Sequence, residues 1–203
     1  FVLVGDSIDR ETVRSQCRTP MSYVVDCAKC LMCVNNDSGT STWLNVMLFG
    51  VGSRGCIHRD RSWAPEQNRE VMSVTERVLR LLPHVLIQHA QRHREVVVTL
   101  HTGLWDVFAT EGSPTSSCGR QVDEPNGPTI APFITGEWGV DIRDRLIRPV
   151  LGTVRSYAPH AIVAWRSLPF NCWRGWGDVR TNIVLASHLG VQLACIAGLP
   201  LLD

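Results

Sequence analysis

Phe1-Val2-Leu3-Val4-Gly5-Asp6-Ser7-Ile8-Asp9-Arg10 opens the chain, and its reading decides the fold. Phe1 to Val4 is a continuous apolar run, the pattern of a strand buried on both faces of a parallel sheet. Gly5 lets the chain turn where a Cβ would obstruct it. An amphipathic segment from Ile8 to about Cys17 follows at once and predicts a helix. Ser7 then stands at the carboxyl edge of the first strand and at the mouth of that helix. Open α/β sheets place ligands at this edge, and the first amides of a helix are unpaired donors for negative charge. The plainer role for Ser7 is to cap the helix, since serine is a favoured N-cap residue.

The same alternation continues. Trp43 to Phe49, Glu95 to Leu100, Ala161 to Trp165 and Leu199 to Leu202 read as further strands. Between them, Val71, Val74, Val78, Leu81, Leu82 and Val85 recur at helical spacing, as does the segment from Asp141 to Tyr157. Asp178 is placed to cap a last helix reaching towards Gly198. A polar stretch through Asn35, Asn36, Asp37, Ser38 and Gly39 separates the first helix from the second strand. Residues 109–139 carry Gly, Pro, Ser and Thr without a period, the mark of a long functional or disordered loop. Strands alternating with helices predict one domain over 1–203: a three-layer α/β/α sandwich, flavodoxin-like, around a central parallel sheet of about five strands.

Composition excludes some partners. Twenty Lys and Arg stand against 19 Asp and Glu, a formal charge of +1 with the signs interspersed, so nothing favours nucleic acid or an anionic membrane. No apolar run is long enough to cross a bilayer. The chain starts inside a strand and without Met, which reads as a domain cut from a longer protein. Eight cysteines, at 17, 27, 30, 33, 56, 118, 172 and 195, suggest disulfides and hence a secretory lumen, Golgi or extracellular location. The spacing Cys27-x-x-Cys30-x-x-Cys33 also fits a metal site. A structural zinc would need a second ligand pair, and only His58 near Cys56 offers itself, so no metal is assigned.

In this topology the turns after successive strands share one edge, which brings Ser7 beside the loop Gly50-Val51-Gly52-Ser53-Arg54-Gly55 and the turn Thr102-Gly103-Leu104-Trp105-Asp106. A serine nucleophile needs a base and N–H donors aimed at the oxyanion, and glycines let backbone amides approach the reacting carbonyl. Each glycine is equally at home in an ordinary turn. Gly5-Asp6-Ser7 resembles the first block of the GDSL or SGNH hydrolases. Ser7 followed by Arg10, the Thr102 to Asp106 turn, and Val163-Ala164-Trp165-Arg166-Ser167-Leu168-Pro169 are more similar to the PC-esterase branch, which includes the trichome birefringence-like polysaccharide O-acetyltransferases.

The resemblance implies that Ser7 attacks an ester carbonyl, with oxyanion donors from its own amide, from Gly50 or Gly52, and from Gly103. The family's third block supplies an asparagine; here His101 precedes Thr102-Gly103 and could donate in its stead, or serve as a structural partner. Arg54 and Arg166 sit where they could hold an anionic or hydroxylated substrate or stay solvated, Trp105 where it could pack or bind substrate, and Trp173 and Trp176 where they could stack on sugar rings or cover a sheet edge. The family takes its base from an Asp-x-x-His element after the last strand, and no such element occurs among the 203 residues. His58, His160 and His188 are the alternative bases, of which His160 and His188 are better explained structurally. The expected activity is therefore that of a serine esterase or O-acyltransferase acting on an O-acyl group of a small molecule or polysaccharide, acetyl among them, without a cofactor. The alternatives are a binding domain that keeps the pocket and lacks the base, and a flavodoxin-like domain binding phosphate at the Gly5 to Arg10 turn.

Overall fold

The computed structural model describes residues 1–16, 21–22, 31–34, 41–48, 74–90, 95–102, 137–167 and 179–202. The elements are β1 (Val2–Gly5), α1 (Ser7–Gln16), β2 (Met21–Ser22), β3 (Leu31–Val34), β4 (Thr42–Met47), α2 (Val74–Ala90), β5 (Val97–Leu100), α3 (Glu137–Asp141), a π-helical segment (Ile142–Ile147), α4 (Arg148–Tyr157), β6 (Ile162–Arg166), α5 (Val179–Ile196) and β7 (Leu201–Leu202). The strands form one sheet in the order β2-β3-β4-β1-β5-β6-β7.

β4, β1, β5, β6 and β7 run parallel, and these are the five strands expected from the apolar runs. The sheet as a whole is mixed, because β3 pairs antiparallel with β4 and β2 antiparallel with β3. That corrects the wholly parallel expectation. Leu31-Met32-Cys33-Val34 is only four residues long and ends a cysteine-spaced run, so its strand character was masked by its neighbours.

The alternation of β1 shows how the sheet is covered. Val2 and Val4 face a core with Leu44, Val46, Val98 and Leu100 that α2, the π-helical segment and α4 close. Leu3 faces the other way, against Val13 of α1 and Cys33 of β3. In α2, Val74, Val78, Leu81, Leu82, Val85 and Leu86 are all buried, one stripe at helical spacing. Each such side chain contributes roughly 1.5–3 kcal/mol by leaving water. Pro83 lies inside this helix, and the carbonyl it deprives of an amide belongs to Leu79 on the exposed side, where water can serve it.

The expected helix from Asp141 to Tyr157 contains the π-helical segment. There the Arg148 amide bonds the carbonyl of Arg143, five residues back, and the Thr75 hydroxyl of α2 donates to the Arg145 carbonyl at 3.0 Å. Pro149 brings no amide at the next position, so the hydrogen-bond register can reset to the α pattern there. In α5, Gly190 is buried against the Trp165 indole; a Cβ would stand 2.6 Å from its Cζ2. The missing side chain lets the helix close on β6.

Candidate active site

Backbone bonds gather three strand ends at one edge of the sheet. The Leu48 amide, just past β4, donates to the Gly5 carbonyl at 2.6 Å, and the His101 amide, just past β5, donates to the Val4 carbonyl at 3.0 Å. Leu100 lies in register with Trp165, so Arg166 leaves β6 at the same edge. Ser7, His101 and Arg166 therefore stand on adjoining turns, as a parallel sheet requires.

α1 starts here, and its cap is Asp6. Asp6 Oδ1 accepts the Ile8 amide at 2.9 Å, and the Asp6 carbonyl accepts the Arg10 amide at 3.3 Å. Ser7 is thus the first helical residue and is not required as the cap. Gly5 serves close approach. It lies within β1, and a Cβ there would overlap the Asp9 carboxylate and come within 3.0 Å of the His101 carbonyl.

The Asp9 carboxylate fills the notch left by Gly5, wholly buried, and Asp9 Oδ1 pairs with Arg166 Nη2. His101 is also fully buried. Its Nδ1 lies 3.6 Å from Asp6 Oδ2 and 3.9 Å from Asp9 Oδ2, beyond hydrogen-bond length and well within Coulombic reach. Burial is the largest influence on Asp9 and lifts its pKa to about 6; His101 and Arg166 pull it down and Asp6 pushes it up. Asp6 Oδ2, Asp9 Oδ2, both ring nitrogens of His101 and Nε of Arg166 have no hydrogen-bond partner among the described residues. Four polar side chains thus meet at this edge, three of them buried and Arg166 partly exposed.

Of the residues singled out in the sequence, His101 and Arg166 come together, with Arg166 turned to Asp9. Gly50, Gly52, Arg54, His58, Gly103, Trp105, Trp173 and Trp176 lie outside the described residues, as do all the cysteines except Cys33 and Cys195. Cys33 is buried with its sulfur 3.5 Å from the Val13 carbonyl oxygen, and Cys195 is a free, exposed thiol. His160 is exposed before β6, at the opposite edge, and His188 is exposed on α5, 2.9 Å from the Gln192 amide nitrogen. Asp6 and Asp9 were missed as members of the cluster. Asp9 stands four residues before Val13, and both are fully buried, so the signal was an acidic residue on the inward stripe of α1.

Among the described residues, no group of three or more His, Cys, Asp or Glu side chains is placed to hold a metal ion, and no helix is long and apolar enough to cross a membrane. Compared with protein-family models, curated proteins and solved structures, the chain matches none.

Proposed function

We propose that this chain is a serine esterase or O-acyltransferase of the SGNH type on a flavodoxin-like sandwich, working through an acyl-Ser7 intermediate. The observation that carries the reading is the place of Ser7: the first residue of α1, at the carboxyl edge of the parallel strands, beside a cap that Asp6 supplies. In the first half of the reaction the serine oxygen bonds to the acyl carbon, its proton passes to a base, and the alcohol departs with a proton. In the second, water or another hydroxyl takes the acyl group and the serine regains its proton. The Ser7 amide lies in the first turn of α1, where amides lack an intrahelical partner and the helix dipole favours negative charge. Gly50 or Gly52 and Gly103 are the further oxyanion donors that the PC-esterase resemblance suggests. The His101 ring is buried and faces Asp6 and Asp9.

The substrate proposed is an O-acyl ester, with acetyl on a carbohydrate as the family's example. Arg54, Trp105, Trp173 and Trp176 would line its path, in a secretory compartment where disulfides form. The second reading is a binding domain without turnover, which keeps the pocket and is supplied with no base. Release of nitrophenol from 4-nitrophenyl acetate by the full-length protein and by its Ser7→Ala variant decides between them. Turnover that disappears in the variant supports the enzyme. Equal rates in both proteins, or none in either, overturn it.

A further inference from the structure

The orientation of α1 at its first turn is fixed from two sides. From within the chain, Asp6 ties the turn through the Ile8 and Arg10 amides. From the sheet, Arg166 at the end of β6 reaches Asp9 across 157 residues of sequence, and His101 at the end of β5 faces Asp6 and Asp9 together. Asp6 and Asp9 flank Ser7 and Ile8, so both ends of the segment bearing the proposed nucleophile are turned to side chains from other strands.

This arrangement is a poor way to stabilise a fold. Two carboxylates and an imidazole are withdrawn from water, a guanidinium partly so, and five of their polar atoms lack a partner among the described residues. A buried ion pair commonly costs as much in lost hydration as it returns, and apolar side chains of similar volume do as well or better. What a directional pair supplies that apolar packing does not is a fixed relation between two elements. Gly5 is part of the same device, since any side chain there would displace the Asp9 carboxylate.

We propose that Arg166, Asp9 and His101 are positioning residues for Ser7: the Arg166–Asp9 ion pair, with the imidazole set beside it, fixes the rotation of the first turn of α1 against the edge of the sheet. The proposal rests on the esterase reading of Ser7. Arg166 acts through Asp9, in place of the substrate-holding role suggested by its position in the sequence. Attacking atoms must be held to a fraction of an ångström, and a misplacement of about 1 Å can cost about 100-fold in rate.

The test uses the full-length protein, 4-nitrophenyl acetate as the ester, and amide hydrogen exchange as a second readout. Arg166→Ala is expected to lower kcat about 100-fold with KM little changed. Arg166→Lys, which keeps the charge, is expected to recover at least about tenfold of that loss. Protection of the Ile8 and Arg10 amides is expected to fall in Arg166→Ala while that of α4 is retained, and Arg148→Ala, a change to an exposed ion pair, serves as control. An unchanged kcat in Arg166→Ala overturns the proposal. So does a Lys variant no better than Ala with exchange protection lost across the whole sheet, which marks a merely structural residue. If the parent protein shows no Ser7-dependent turnover, the esterase reading fails by itself. The exchange data then decide the positioning role alone, selective loss at Ile8 and Arg10 supporting it and unaltered protection overturning it.

Discussion

The carboxylate of Asp9 occupies the space where a side chain on Gly5 would be, so the two residues, four positions apart across the turn from β1 to α1, are shaped to each other. Gly5→Ala would push a methyl into the carboxylate and to within 3.0 Å of the His101 carbonyl, and neither a buried ion pair nor a strand-end backbone moves freely. The expected cost is about 1–3 kcal/mol of stability, typical of overpacking, read by urea unfolding. A variant as stable as the parent would show that Asp9 does not sit in this notch.

Asp9 also sets a pH dependence. Its folded-state pKa is raised from 3.8 to about 6, chiefly by burial, so between those values the folded protein holds a proton that the unfolded chain has released. The contribution of Asp9 to stability is therefore fully present at low pH, falls as pH rises from about 4 to about 6, and is level above that. The whole change is on the order of 3 kcal/mol. Denaturant titrations across this range, with Asp9→Asn as comparison, are expected to show the downward slope in the parent and its absence in the variant. Parallel titrations of parent and Asp9→Asn, with no slope in their difference over this interval, contradict the burial of Asp9.

Two glycines in helices give opposite expectations. Gly190→Ala would force a methyl to 2.6 Å from the buried Trp165 ring and is expected to destabilise by about 1–3 kcal/mol. Gly152 lies in α4, exposed, with nothing within 4 Å of a Cβ, so Gly152→Ala is expected to stabilise by about 0.5–1 kcal/mol. Paired unfolding curves check both signs at once.

Much of this fold was legible because it is written in periodicities. The runs at Val2, Trp43, Val97, Ile162 and Leu201 mark strands, and the inward stripe from Val74 to Leu86 marks α2. β3 was less legible, being four residues within a cysteine-spaced segment, and its antiparallel pairing depends on contacts with β4 that no local pattern encodes. His101 and Arg166 could be placed at the right edge, since a strand's end fixes where its last residues go. Their pairing with Asp9 could not. An aspartate in the first turn of a helix reads as a complement to the helix dipole, and only the packing of α1 onto the sheet turns this one inward.

The central claim is that Ser7 is the nucleophile, and covalent labelling tests it most directly. The full-length protein treated with a fluorophosphonate should form a phosphonyl–serine bond with loss of fluoride, and proteolytic mapping by mass spectrometry should place the adduct on Ser7 and on no other serine. Ser7→Ala should take up no label while unfolding like the parent. Labelling at another residue, undiminished labelling of the Ser7→Ala variant, or no adduct on folded full-length protein would contradict the account.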